Sequence, residues 1–132
     1  MNYVRINGIS FDVDVAISDY EESFDVLDGE NAERSVLTGR MIRDIIGTYI
    51  GHKVTFFNGK SNEAFDALWD YLVKHSVDDS VMLEAADGQR TIAYEAYYTH
   101  GQRKLKKVED GVNYWDELEV NFIPMDAQVK PS

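Results

Sequence analysis

The chain has 132 residues, a formal net charge of −11 and 44% hydrophobic residues, which suits one folded domain and argues against disorder. It holds no cysteine, which excludes a disulfide scaffold, a thiolate metal site and a cysteine nucleophile. So acidic a chain is a poor binder of nucleic acid backbone, which calls for clustered Lys and Arg.

The opening, MNYVRINGISFDVDV, has no basic segment followed by an apolar run, so no secretory leader is legible. The expected setting is a reducing cytoplasm, with no membrane span. A first strand is expected at about 2–6, and Asn7-Gly8 is a hairpin signal. Phe11, Val13, Val15 and Ile17 then alternate with Asp12, Asp14, Ala16 and Ser18, the period of a strand with one buried face. Residues 28–47 are the least regular, with Gly29, Gly39 and Gly47. They are expected as part of a long arm or loop at about 18–47. A strand follows over 48–57, ending in Val54, Phe56 and Phe57.

SNEAFDALWDYLVKHS breaks the two-residue period. Phe65, Leu68, Trp69 and Leu72 form the stripe of an amphipathic helix at about 61–75, with Ser61 as N-cap and Lys74 and His75 at the negative end. Val81, Leu83 and Ala85 make the next strand. Asp87-Gly88 turns into Ile92, Tyr94, Ala96 and Tyr98. The last strand places Leu118, Val120 and Phe122 on one face, and Trp115, Glu117, Glu119 and Asn121 on the other. It stops at Pro124, and residues 126–132 are expected to be a loose tail. The fold class is mainly β with one helix: an antiparallel β-sandwich or barrel packed with a single helix, in one domain spanning 1–132.

Charge is segregated along the chain. Residues 6–33 carry nine acidic side chains and no Lys or Arg, whereas 34–60 carry five basic side chains against Asp44 alone. Residues 90–107 form a second basic stretch. Such runs serve either as solvated faces or as complementary surfaces, acidic on one copy and basic on the next. Tyr97-Tyr98 and Tyr114-Trp115 each put one ring on either side of a strand, so Tyr97 and Trp115 belong either to a second internal layer or to a subunit contact.

No signature of catalysis is present. There is no P-loop, G-x-G-x-x-G, G-x-S-x-G or calcium loop. His52, His75 and His100 lie in separate elements, none beside a carboxylate at ligand spacing, and read as surface or strand histidines. The expectation is a non-enzyme with no cofactor and no metal.

The stretch DVLDGENAERSVLTGRMIRDIIGTYIGHKVTFFNG resembles the N-terminal half of small tail proteins of bacteriophages and prophages of Gram-positive hosts. The resemblance rests on Glu33, Arg34, Thr38, Gly39, Met41, Arg43 and Asp44, then Lys53, then a helix from Ser61. AYEAYYTHGQRK, resembling the segment where a tyrosine of the penultimate strand leads into a polar loop, and GVNYWDELEVNFIPMD, resembling the closing strand, extend it to roughly residues 24–126. It implies a tail-tube-like or distal-tail-like fold. It also implies a non-enzymatic virion structural protein, built in the host cytoplasm and assembling with copies of itself and other tail proteins. The assembly would be a ring, commonly hexameric, or a tube through which DNA passes unbound. On that basis the 18–47 arm reaches a neighbouring copy. Arg34, Arg40, Met41, Arg43 and Asp44 of the arm, with Tyr97 and Trp115, are then interface residues, the arginines meeting acids of the adjacent copy. The alternative is an acidic protein-binding module, either a secretion chaperone or an inhibitor that mimics nucleic acid.

Overall fold

The computed structural model describes residues 4–15 and 19–131. Two 13-residue strands form its spine: β6 (Ile45–Phe57) and β10 (Val112–Pro124). They run antiparallel with Leu118 opposite Phe56 and Phe122 opposite His52. Their even-numbered residues Val54, Phe56, Leu118, Val120 and Phe122 point to one side and are buried.

The remaining strands add to this pair. β3 (Glu21–Asp28) and the two-residue β2 (Asp14–Val15) lie along the far side of β6. β9 (Gly101–Glu109) forms a hairpin with β10. Beyond Phe122, β10 pairs instead with β8 (Arg90–Tyr97), which continues to β7 (Val81–Asp87) and β1 (Val4–Ile6). By changing partners along its length, β10 carries the sheet round into an antiparallel half-barrel. The fold is thus mainly β with one helix, as the alternation indicates.

The helix α1 (Asn62–Lys74) packs against the inside of this curl. The Ser61 hydroxyl accepts from the Ala64 amide at 3.0 Å and caps it. Phe65, Leu68 and Leu72 enter one apolar core with Val4, Ile6, Val81, Leu83, Ala85 and the spine residues. Each Val, Leu, Ile or Phe side chain among them contributes about 1.5–3 kcal/mol on burial. Tight turns fall at Asn7-Gly8 and Asp87-Gly88, as the sequence indicates, and also at Asp110-Gly111: Asn7 and Gly8 have φ 53° and 80°, and Asp110 and Gly111 have 52° and 75°. Positive φ at both central residues twists the flanking backbone as a hairpin needs.

Four expectations change. Over 11–15 the burial alternates, with Val13 buried between exposed Asp12 and Asp14, but among the described residues there only Asp14–Val15 is a strand. The Asn7-Gly8 turn closes a single Ile6–Ile9 bridge, because β1 finds its apolar match in β7, 75 or more residues on. Residues 2–3 of the first expected strand, and Ala16, Ile17 and Ser18, lie outside the described residues. Second, a strand, β9, stands where a polar loop is expected after Tyr98.

Third, β10 carries a bulge. Glu117 has φ 53°, and the four residues from Asp116 to Glu119 face the three from Gln102 to Lys104 on β9. The extra residue inverts the alternation, so Trp115 packs against the core rather than sharing a face with Glu119. Fourth, the tail is not loose over 127–129. Val129 bridges Thr48, whose amide donates to the Val129 carbonyl at 2.8 Å. The Gln128 side chain accepts from the Ile50 amide at 2.8 Å and donates to its carbonyl at 2.9 Å. These contacts complete the edge of β6 that β10 leaves open.

Candidate assembly surface

The segment expected as an arm is a long hairpin. β3 pairs with Ile45–Lys53 of β6, and the ladder closes at Asp28 opposite Ile45. Its far end carries a miniature hairpin, β4 (Glu33–Arg34) with β5 (Met41–Ile42). Of the 19 large hydrophobic side chains exposed among the described residues, nine fall between Phe24 and Ile46. Phe24 is 70% exposed, Val36 98% and Leu37 93%. Apolar surface concentrated in this way on a projecting element marks a contact site, since the arm buries little of it within the chain.

The four strands β3-β6-β10-β9 give a sheet whose outer strands each pair on one side only among the described residues. β3 carries Glu21, Glu22, Asp25 and Asp28 and no base; β9 carries Arg103, Lys104, Lys106 and Lys107 against Glu109. The two charged runs of the sequence therefore end on opposite edges of one sheet. Several β9 cations have partners in the chain: Lys104 lies 3.8 Å from Glu117, Lys106 pairs with the same carboxylate, and Lys107 lies 3.1 Å from Glu109. Those lysines hold the Glu117 carboxyl below its usual range, Lys106 most of all. Exposed pairs of this kind are worth at most ~1 kcal/mol and exchange readily for other carboxylates.

The residues singled out in the sequence divide into three groups. Arg34, Arg40 and Met41 are exposed at the arm tip. Arg34 donates to the Gly39 carbonyl at 2.9 Å, and neither Arg34 nor Arg40 has a carboxylate partner among the described residues. Arg43 and Asp44 serve the arm itself. Arg43 Nε lies 2.8 Å from Asp28 Oδ1, and this hydrogen bond holds the Asp28 carboxyl below its usual range. Asp44 accepts from the Asn31 amide at 3.3 Å. Tyr97 is exposed on β8, across a groove from the arm. Trp115 is engaged internally: the Arg103 guanidinium lies 4.5 Å from its ring and 4.6 Å from that of Trp69, and pairs with Asp66 at 2.8 Å.

A buried polar cluster fastens the arm to the half-barrel. His52 is fully buried, with Nε2 3.0 Å from Glu22 Oε2 and 3.1 Å from the Ala86 carbonyl, and Nδ1 2.7 Å from the Tyr94 hydroxyl. Two acceptors at Nε2 place the proton there, so Tyr94 donates to Nδ1. Tyr20 donates to the Ala86 carbonyl at 3.2 Å and accepts from its amide at 2.7 Å. Burial pushes the Tyr20 phenol up to about 12 and raises Tyr94 also. Burial first, and then the hydrogen bond and charge of Asp87, raise the Glu22 carboxyl, against the opposing pull of His52. Sequence spacing hides this cluster, because Glu22 and His52 are 30 residues apart. His75 also meets a carboxylate, Asp78, at 2.6 Å.

No group of three His, Cys, Asp or Glu side chains among the described residues is placed to hold a metal ion. Compared with family models and with curated proteins, the sequence matches none.

Proposed function

We propose that this chain is a non-enzymatic structural component of a phage-type tail. It assembles head to tail with copies of itself into rings that form or cap a conduit for DNA. The observation that carries the reading is the opposite charge of the two open edges of one sheet, acidic on β3 and basic on β9. A strand edge presents unpaired amides and carbonyls that template another strand. Like edges repel here and unlike edges attract, so the favoured contact joins β3 of one copy to β9 of the next. The joined pair then keeps one free edge of each kind. Such a heterologous contact propagates and gives a ring where the rotation closes.

The apolar arm supports the same reading, because a projecting hairpin reaches past the first interface to a second copy. The net charge of −11 suits a passage that duplex DNA must traverse without being held. Light scattering across a concentration and salt series, with negative-stain images of the same samples, tests the proposal. Rings or stacked tubes with a central opening, weakening as salt rises, are expected. A strict monomer at every concentration and at low salt counts against it.

A further inference from the structure

The arm tip and the base of the arm complement each other, yet they do not meet within one chain. The tip, residues 34–42, holds Arg34 and Arg40 without carboxylate partners among the described residues, and Val36 and Leu37 almost fully in solvent. At the base of the arm a groove of about 400 Å³ opens between β3, β6, β8 and the end of β10. It is lined by Leu27, Tyr49, Tyr97, Pro124 and Met125, with one carboxylate, Asp25. Asp25 stands opposite Tyr49 in the ladder, and Glu95, two residues from Tyr97 on β8, shares the Tyr97 face.

We propose that the groove receives the arm tip of a second copy, Val36 and Leu37 entering against Tyr49 and Tyr97 while Arg34 and Arg40 meet Asp25 and Glu95. The seating rests on the assembly reading above and names a second contact in it. The occupant is a copy of this chain because both halves of the complementarity lie in this sequence: an apolar, cationic knob and an apolar, anionic socket. The same chain cannot supply both. Its ladder runs out through Asp28 and Ile45, carrying the tip away from the socket at residues 23–27. Knob and socket on different parts of the molecule make a heterologous contact, which adds copies without exhausting the site. Arg43 takes no part, being held by Asp28.

The absence of native cysteine makes the test direct. Leu37→Cys and Tyr97→Cys proteins are mixed under mild oxidation, and disulfide-linked dimers are counted on a non-reducing gel. Val77→Cys, 88% exposed on the short 3-10 turn after the helix, replaces Tyr97→Cys as the control. Linkage of Leu37→Cys to Tyr97→Cys should exceed linkage to the control by about tenfold, and Arg34→Glu with Arg40→Glu in the knob should abolish the excess. Equal linkage to both, or an excess that survives the charge reversal, overturns the seating. Rings that form without that linkage overturn the seating and leave the tail reading standing. A chain that neither assembles nor links overturns both.

Discussion

His52 Nε2 donates to the Glu22 carboxylate at 3.0 Å, and this bond joins the root of the arm to a fully buried ring of the half-barrel. The imidazole satisfies Tyr94, Ala86 and Glu22 together, so the cluster holds β3, β6, β7 and β8 in one arrangement. Buried polar groups that are fully partnered specify geometry; deprived of one member they become costly.

His52→Leu should therefore lower stability by about 3 kcal/mol, since it leaves the Tyr94 hydroxyl without an acceptor and the Ala86 carbonyl and Glu22 without their donor. A urea midpoint unchanged from the parent protein would show that the cluster is dispensable.

Glu22→Gln keeps an acceptor for His52 and removes the ionisation. The folded state raises the Glu22 carboxyl, so it binds that proton more tightly than the unfolded chain does. The stability from this group is fully present below its ordinary value of 4.5 and is lost as pH rises through the raised value. The stability of Glu22→Gln relative to the parent should thus climb with pH from about 4.5 and then level off. A difference that is flat or falls with pH contradicts the assignment.

Arg103 lies between Trp69 and Trp115, the only two tryptophans of the chain. Arg103→Ala should cost about 1–2 kcal/mol through lost stacking and aliphatic packing, and should shift tryptophan emission to the red. Arg103→Lys should recover only part of the stability, because an ammonium lacks the planar face that lies against both rings. Unaltered emission in Arg103→Ala would contradict the stacked geometry.

Gln128 imitates a strand residue, its side-chain amide pairing with both backbone groups of Ile50. Ending the chain after Asp126 removes it together with the Val129 bridge to Thr48. The amides of Thr48 and Ile50 should then exchange with solvent markedly faster, and the bared edge should promote aggregation. Unchanged protection at both amides would show that the tail contributes nothing to this edge.

The sequence speaks plainly where local chemistry decides. Ser61 with the Phe65, Leu68 and Leu72 stripe fixes the helix. Asn7-Gly8 and Asp87-Gly88 fix turns, and alternation in β7 and β8 gives their buried faces. It is silent where distant partners decide. β9 has no apolar stripe, because neither of its faces is buried in the core; its one local sign is the Asp110-Gly111 turn beyond it. Nothing marks Glu117 as the bulge that turns Trp115 inward, since a non-glycine at positive φ leaves no trace in composition. Glu22 and His52 meet only because β3 lies along β6. The acidic and basic runs are visible as runs, but their placement on opposite edges follows from the order β3-β6-β10-β9.

That placement is open to a charge exchange. One variant makes the acidic edge basic, with Glu21→Lys, Asp25→Lys and Asp28→Lys; the other makes the basic edge acidic, with Lys104→Glu and Lys107→Glu. Each alone carries two edges of like charge, so each should remain monomeric by light scattering while keeping the circular dichroism of the parent. Mixed in equal amounts, the two offer unlike edges at every boundary and should assemble again, in alternation. Assembly by either variant alone, or monomers in the mixture, would contradict head-to-tail pairing of β3 with β9.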